Sequence, residues 1–237
     1  MFKKIPLFNL LLLGLSQIFL WTLRTEASLL GDYTSSSQPI KVEQRRTVGS
    51  GSRSNCRNLP ERSVSLLVPE AEVVHQTASS TPALFLHSKV ASTLPFKFTL
   101  VDPQVAEPIV EQVFSISQPG IKRLELPKPV KLKEEKVYLW NVAIPCQQNP
   151  EQYQEVLVAA IKRVPVPTQV ARQLELVNTN EETAAIYASH GIWYDALEFA
   201  VREGNRPEYL QQLLLDVGLV SKSESNRWTR SFALIDK

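Results

Sequence analysis

Three histidines are the first residues to consider, because imidazole serves both as a metal ligand and as a general base near neutral pH. His75 lies in a predicted loop, His87 on a predicted strand, and His190 just before Gly191 at a predicted helix end. No two of them stand at an HxH or HExxH spacing, so the sequence predicts no zinc site. For His190 we expect a capping role at the carboxyl end of the helix.

Carboxylates are the other candidate catalytic groups, since a glycosidase needs two of them about 5–10 Å apart in a cleft. Asp102, Glu107 and Glu111 lie on or beside two neighbouring predicted strands. A solvated strand edge explains them, and paired catalytic carboxylates are the alternative. The sequence lacks the motifs GxSxG, SxxK and DxDxDG, and Gly49–Ser54 lacks the third glycine of a dinucleotide fingerprint. We therefore predict no catalytic residue and no cofactor.

Only two cysteines, Cys56 and Cys146, are present for thiol chemistry. A redox or metal-binding pair would be expected at a CxxC spacing with histidines nearby, and the sequence has neither feature. We predict a structural disulfide, because two cysteines in an oxidising compartment usually pair. Closing a loop of about 90 residues would restrict the unfolded chain by roughly 4–5 kcal/mol on the chain-entropy model.

Trp193, Tyr194 and Asp195 stand together in a segment with helical periodicity. One interpretation is a carbohydrate-stacking surface, in which Asp195 orients the two aromatic rings. The other places both rings in the core and puts Asp195 in the first turn of a helix, where it complements the dipole. Arg45 and Arg46 would either contact an acidic envelope polymer or lipid headgroups, or belong to a solvated arm. Together these five residues are the candidate interaction surface.

The first 27 residues have the order of a secretory signal peptide. Lys3 and Lys4 precede an uncharged apolar stretch, Ile5–Leu23, and Ala27 is a small residue at the predicted cleavage site. Cleavage would give a protein exported to the periplasm, the cell envelope or the medium. The alternative is that Ile5–Leu23 remains as a membrane anchor, since about 19 uncharged residues almost span a bilayer.

The charge balance bears on the class of partner. The chain has 26 basic and 24 acidic residues. Loss of residues 1–27 would remove three of the former and one of the latter, which leaves a formally neutral protein. Because nucleic-acid binding requires a basic surface, we expect no nucleic-acid partner.

Two patterns divide the chain before its helical part. Residues 28–62 are rich in Ser, Arg and Gly and are predicted to be a linker. Residues 63–164 alternate between apolar and polar side chains, and about seven short strands predict an immunoglobulin-like antiparallel β-sandwich, with Tyr138 placed as in a tyrosine corner. The predicted strands are Ser63–Val68, Ala83–Ser88, Phe96–Val101, Ile109–Ser117, Ile121–Leu126, Val137–Ile144 and Glu155–Val164.

Residues 168–218 change to helical periodicity. Small and aromatic residues recur on one face, Gly191 interrupts the pattern as a possible left-handed helix end, and a further helix ends at Gly218. This segment is predicted to form a helical hairpin within a three-helix segment, so that the fold class is α+β. Residues 219–237 are predicted to be a tail.

The stretch Ala185–Ala200 resembles one tetratricopeptide unit. Its small residues would let two helices approach closely, while Tyr187 and Tyr194 would fill the gap between them. Because the chain carries one copy, a lone hairpin packed on the sandwich is the alternative to a binding solenoid.

Several short motifs follow one another in the order of a known family. They are Arg45-Arg46, Gly49–Arg53, Cys56, Tyr138-x-Trp140, Cys146 and Gly191-Ile192-Trp193-Tyr194-Asp195-Ala196. Together they resemble the cyanobacterial family catalogued as domain of unknown function 928, over nearly the whole chain after the export signal. The resemblance implies export from a cyanobacterial cell, and it brings no established activity, substrate or catalytic residue.

Two hypotheses of function follow. The first is a non-catalytic envelope or secreted protein that acts through protein–protein or protein–glycan contacts, because the sequence predicts a complete scaffold without a reaction motif. Its partner would be an envelope protein or a glycan. The second is an extracellular hydrolase whose carboxylates only the fold brings together.

Overall fold

A computed structural model describes residues 33–34, 56, 59–71, 73–149, 151–202 and 206–223. The predicted export signal, Arg45 and Arg46 lie outside these residues, as does the predicted tail from residue 224 onward. Among the described residues, no helix is both long enough and apolar enough to cross a bilayer.

The described part of the chain contains eight strands followed by four helices. Seven strands coincide with predicted ones, because each lies in a β-type run of apolar side chains bounded by proline or polar residues. The sequence does not predict β2, whose four residues include three polar side chains, and the placement of His75 in a loop is therefore wrong. The strands are β1 (Val64–Leu66), β2 (Val74–Thr77), β3 (Ala83–Ser88), β4 (Ser92–Val101), β5 (Val110–Ile116), β6 (Gly120–Glu125), β7 (Val137–Pro145) and β8 (Tyr153–Arg163).

The strands form two sheets. A three-stranded sheet has the order β1-β3-β6, and a five-stranded sheet has the order β2-β8-β7-β4-β5. Neighbouring strands are antiparallel except for β2 and β8, which run parallel with Val74 opposite Ala160. The expectation of a wholly antiparallel arrangement is wrong at this pair, because the chain passes from β1 in one sheet to β2 in the other instead of reversing in a hairpin.

Alternating residues of β4 and β7 form the inner face of the five-stranded sheet. Phe96, Phe98 and Leu100 on β4 are completely buried, as are Trp140 and Val142 on β7. The ring centroids of Phe98 and Trp140 lie 6.4 Å apart. Because successive side chains of a strand point to opposite faces, the residues between them in sequence lie on the other, solvent-facing side of the sheet.

The helices follow the strands and share their core. Four helices follow the strands, one more than the predicted three-helix segment, and a capping box at Thr179 starts the second of them. In that box the Thr179 hydroxyl accepts a hydrogen bond from the Glu182 amide, and the Glu182 carboxylate accepts one from the Thr179 amide. Buried residues of strands and helices form one continuous apolar cluster. The helices are α1 (Thr168–Leu174), α2 (Asn180–Ser189), α3 (Trp193–Ala200) and α4 (Pro207–Asp216).

Two helices end in the same way. Gly191 follows α2 with φ of 72°, and Gly218 follows α4 with φ of 73°. In each case the amide of the residue after the glycine donates to the carbonyl five positions earlier, at 3.0 Å after Gly191 and at 2.9 Å after Gly218. This is the Schellman arrangement, and it confirms the predicted left-handed helix end at Gly191. His190 is the C-cap residue of α2, as predicted.

Substitutions at these two glycines should separate backbone strain from crowding. A Cβ atom at the exposed Gly218 would meet nothing within 4 Å, so Gly218→Ala measures the cost of the left-handed conformation alone, about 1–2 kcal/mol. Gly191 is buried, so Gly191→Ala should cost more than Gly218→Ala, and Gly191→Val more again. Urea unfolding of the three variants tests this order. A Gly191→Val protein as stable as the native one would contradict the helix end.

A disulfide joins Cys56 to Cys146, with 5.7 Å between their Cα atoms. It fastens the segment before β1 to the residue after β7. Beside it, the Leu59 amide donates to Gln154 Oε1 at 3.0 Å, and Gln154 Nε2 donates to the Leu59 carbonyl at 2.9 Å. The chain ahead of β1 is therefore held along the beginning of β8. Bonds of this kind are typical of oxidising compartments.

Candidate functional site

The stretch Trp193–Asp195 opens α3 and lies inside the protein. Trp193 is completely buried, Tyr194 is 1% exposed and Asp195 is 6% exposed. α3 packs against β2 and β3, so it contacts both sheets. The interpretation of these three residues as an interaction surface is therefore wrong, and the core interpretation is the correct one. Arg45 and Arg46, the other two residues of that surface, lie outside the described residues.

Burial of Trp193 is possible because its one polar group has a partner inside the protein. The indole Nε1 donates a hydrogen bond of 2.9 Å to the carbonyl of Leu67, directly after β1. The Tyr33 ring meets the indole edge-on, with 5.2 Å between the ring centroids. Trp193 thus connects α3 to the three-stranded sheet and to the chain ahead of it.

Tyr194 makes the corresponding connection to the five-stranded sheet. Its hydroxyl donates to the carbonyl of Ala160 on β8 at 3.0 Å and accepts from the indole Nε1 of Trp140 on β7 at 2.8 Å. Burial raises the pKa of the Tyr194 hydroxyl far above its usual value, so it stays protonated and can keep donating. Trp140 and Tyr194 come from two separate motifs of the sequence, and the fold joins them directly.

Asp195 makes a third connection, at the end of β2. We call Trp193, Tyr194 and Asp195, together with the groups they bond, the junction. Its Oδ2 accepts a hydrogen bond of 2.7 Å from the Thr77 hydroxyl and one of 2.9 Å from the Ala78 amide. Asp195 also lies in the first turn of α3, as predicted, where a negative charge suits the helix dipole. Burial nevertheless raises the pKa of its carboxyl group to about 6, because the two hydrogen bonds only partly offset the loss of hydration.

Asp195→Asn should therefore change how stability depends on pH. Since the carboxyl pKa is raised from its ordinary value of 3.8 to about 6, its contribution to stability is complete below pH 3.8 and is lost as the pH rises through 6. Between about pH 4 and pH 8, the free energy of unfolding of the native protein should therefore fall by about 1–3 kcal/mol relative to that of the variant. Chemical denaturation at both pH values measures this difference, and a constant difference would contradict a buried, ionising Asp195.

The sequence does not identify the residues that surround this junction. His75 on β2 is completely buried, and its Nδ1 lies 2.9 Å from the Tyr33 hydroxyl while its Nε2 lies 3.0 Å from the carbonyl of Glu70. Burial lowers the pKa of His75, so the ring is neutral and links the two groups. The sequence signal that could have identified β2 as a strand is the alternation that puts His75 and Thr77 on one side of it. This alternation spans too few residues to stand out.

The junction holds elements together and presents no reactive group to solvent. Trp193 Nε1, the Tyr194 hydroxyl and Asp195 Oδ2 each form a hydrogen bond with another part of the chain. The three histidines stay apart in the fold, with His75 on β2, His87 on β3 and His190 at the end of α2. In the part of the chain that the structure describes, no group of histidine, cysteine and carboxylate side chains is placed to hold a metal ion.

The three carboxylates near β4 and β5 have separate environments. Asp102 forms an ion pair with Lys136 that lowers the pKa of the carboxyl group. It is 4% exposed, so the prediction of a solvated position is wrong for this residue, because the ion pair and a hydrogen bond from the Gln104 amide replace its hydration. Glu111 pairs with Lys97 at 2.8 Å. Glu107 is exposed in the loop between the two strands.

A different region of the molecule is open to a partner. We call the outer face the solvent-facing side of β5, β4, β7 and β8. Backbone pairing aligns its residues in rows across the four strands, with Val113, Lys97, Ala143 and Val156 in one row and Glu111, Thr99, Asn141 and Val158 in the next. Of the apolar residues on this side, Val113 and Val158 are exposed. Val101, Leu139 and Val156 are half-buried, and Ala143 is buried.

The charges of the outer face are paired with one another. Lys97 Nζ lies 2.8 Å from Glu111 Oε1 across β4 and β5, and this hydrogen bond raises the pKa of Lys97. At the other end of the sheet, Lys162 Nζ lies 2.6 Å from Glu135 Oε2. The face thus combines aliphatic side chains with compensated ion pairs, so it carries no strong net charge.

Comparison with known proteins gives one positive result. No curated protein and no solved structure matches the chain. The family described as Domain of Unknown Function (DUF928) matches residues 48–225, which include both cysteines, the Tyr138–Trp140 pair and the whole Gly191–Ala196 motif. Because this match covers about three quarters of the 237 residues, the chain belongs to the DUF928 family.

Proposed function

We propose that this is an exported, non-catalytic protein of a cyanobacterial cell envelope, and that it binds another protein through its outer face. The observation that carries the proposal is the aliphatic character of that face. A sheet that meets water on one side normally presents polar residues there. On the outer face, Val113 is 67% exposed and Val158 is 44% exposed. Exposed apolar surface of this kind is typical of a contact with another protein.

A protein partner fits the outer face better than a glycan does. Sugar rings are usually recognised by exposed aromatic side chains, whereas the apolar side chains of the outer face are those of valine, leucine and alanine. Among the large exposed hydrophobic side chains of the described residues, Tyr153 alone is aromatic. The compensated ion pairs at both ends of the face would form a polar rim around an apolar centre, the usual anatomy of a protein–protein interface.

Export rests on the signal-like first 27 residues and is supported by the disulfide between Cys56 and Cys146, because such bonds persist outside the cytoplasm. The cyanobacterial source rests on the order of the family-like motifs.

The hydrolase hypothesis has less support. Asp102 and Glu111 are each held in an ion pair, and Asp195 is buried.

We also infer that the two sheets form an immunoglobulin-like sandwich. The strand order β1-β3-β6 corresponds to strands A, B and E of that fold, and β8-β7-β4-β5 corresponds to G, F, C and C′. The Tyr138 hydroxyl accepts a hydrogen bond of 3.0 Å from the amide of Lys133, five residues upstream, as in a tyrosine corner. Tetratricopeptide-like packing of α2 on α3 is supported by the stacked rings of Tyr187 and Phe199, 5.7 Å apart.

Photo-crosslinking in the exporting cell tests the binding surface. A photoreactive phenylalanine would replace Val158 on the outer face or, as a matched control, Leu176, an aliphatic residue after α1 that is 81% exposed. We expect the Val158 position to capture one defined envelope protein that the Leu176 position does not capture. The purified partner should then bind the native protein, and Val158→Lys should weaken binding at least about tenfold while Leu176→Lys does not. Equal capture at both positions, or equal affinity of both lysine variants, would contradict the proposal.

A further inference from the structure

β5 lies at one edge of the five-stranded sheet. In the described residues it pairs with β4 alone, so the backbone groups along its other side meet no strand. Its seven residues include no proline, and its one charged side chain, Glu111, is held by Lys97 on β4. Edge strands are ordinarily protected by proline, by several charged side chains, by shortness or by a covering element, because an open edge accepts a further strand.

The other edge strands carry such protection. β2 has four residues and lies against α3, and β1 has three residues. β6 carries Lys122, Arg123 and Glu125 among its six residues. β5 is therefore the described edge that is long, uncharged toward its open side and uncovered by a helix.

We infer that β5 pairs with β5 of a second copy of this chain, antiparallel and centred on Val113, so that two five-stranded sheets become one sheet of ten strands. The inference goes beyond the partner binding proposed above and does not depend on it. Each side of the new pair would supply the same seven residues, as a twofold interface requires.

The sequence of β5 is complementary to itself in this register. Val113 would lie opposite its own copy, Glu111 opposite Ser115, Val110 opposite Ile116, and Gln112 opposite Phe114. No like charges would face each other, and opposed valine side chains are favourable across an antiparallel pair. The pairing would also cover Val113, which at 67% is the most exposed apolar residue of the outer face.

A second copy fits this edge better than an unrelated strand because the register places an apolar residue opposite an apolar one at both ends and at the centre. It would also continue the outer face, since the row Val113, Lys97, Ala143 and Val156 would meet the same row of the other copy. A strand from another protein would pair with the same edge without the twofold register. The experiment below distinguishes that complex from a dimer of this chain.

Charge substitutions at Val113 test the twofold register. The exported, oxidised protein would be compared by sedimentation velocity over a range of concentrations as the native chain, Val113→Glu and Val113→Lys. Each variant would place like charges opposite each other, so each alone should dissociate at least about tenfold more readily than the native dimer. An equal mixture of the two variants should recover the dimer, because glutamate would then face lysine.

Two controls make the result decisive. Val158→Lys lies on the same face but three strands from the edge, and it should leave the native dimer unchanged. At concentrations low enough for the native dimer to dissociate, the melting temperatures of all variants should match that of the native chain, because Val113 and Val158 are exposed. A native chain that stays monomeric, variants that dimerise as the native chain does, or a mixture that does not recover the dimer would each overturn the inference. A Val158→Lys protein that keeps both the dimer and full affinity for the envelope partner would instead count against the binding surface alone.

Discussion

Replacing Trp193 with alanine should lower the free energy of unfolding by about 3–5 kcal/mol, the range for removing a large, fully buried aromatic side chain. Trp193 is completely buried, and its indole is packed against Tyr33 while its Nε1 binds the carbonyl of Leu67. The substitution would leave a cavity between α3 and the three-stranded sheet and would leave the Leu67 carbonyl without this donor. Both losses fall at the point where the helices join the sheets.

A second substitution separates packing from hydrogen bonding at this position. Trp193→Phe keeps most of the ring volume and removes the indole donor, so it should cost less than alanine, about 1–3 kcal/mol. Leu176→Ala, at a position that is 81% exposed, should change stability by less than about 0.5 kcal/mol and is the surface control. Guanidinium unfolding gives all three values. A Trp193→Ala protein that behaves like the Leu176→Ala protein would show that the indole lies outside the core.

Removal of the disulfide should have an effect of similar size. Replacing both Cys56 and Cys146 with alanine should lower the free energy of unfolding by about 4–5 kcal/mol, because the unfolded chain regains the freedom of a loop of some 90 residues. Alanine is the better replacement, since Cys146 is 2% exposed and a serine hydroxyl would need a new partner there.

Reduction of the native protein provides the matched comparison. If the loop constraint is the cause, the reduced native protein and the double alanine variant should unfold at the same denaturant concentration. The oxidised native protein should also resist thiol labelling after denaturation. Full labelling of Cys56 and Cys146 in unreduced protein, or a variant as stable as the oxidised chain, would be inconsistent with the bond.

Most of the secondary structure was predictable from the sequence because its signals are local. On β4, Phe96, Phe98 and Leu100 alternate with more exposed residues, and this period of two is visible without a structure. β2 has a single apolar residue among its four, so it does not stand out as a β-type run. The pairing of Cys56 with Cys146 was predictable for another reason, since two cysteines allow only one intramolecular bond.

The position of Trp193 and Tyr194 was harder to predict because the facts that decide it are not local. An aromatic pair at the start of a helix is a sequence pattern that occurs both in cores and at binding surfaces. The distinction comes from the carbonyls of Leu67 and Ala160, which lie far away in sequence and reach the two side chains only in the folded chain. Likewise, only the strand register shows that Val113 and Val158 share the outer face.

The motif Gly191–Ala196 therefore has a structural role, and the outer face is the surface that we propose for recognition. Gly191 lets α2 end and α3 begin within one turn. The next residues then bond to both sheets, so a change in this motif would alter the orientation of the helices before it altered any contact with a partner. This separation predicts that variants of the motif lose stability, whereas variants of the outer face lose binding.

Hydrogen exchange at the indole N–H groups tests this account most directly. NMR resolves the indole protons of Trp140 and Trp193, and a phenylalanine variant of each residue would assign them. Because both groups are buried donors, both should exchange more slowly than in the denatured chain, by a factor of at least about a thousand. Exchange of the Trp193 proton at the denatured rate while the Trp140 proton stays protected would contradict a buried junction at α3.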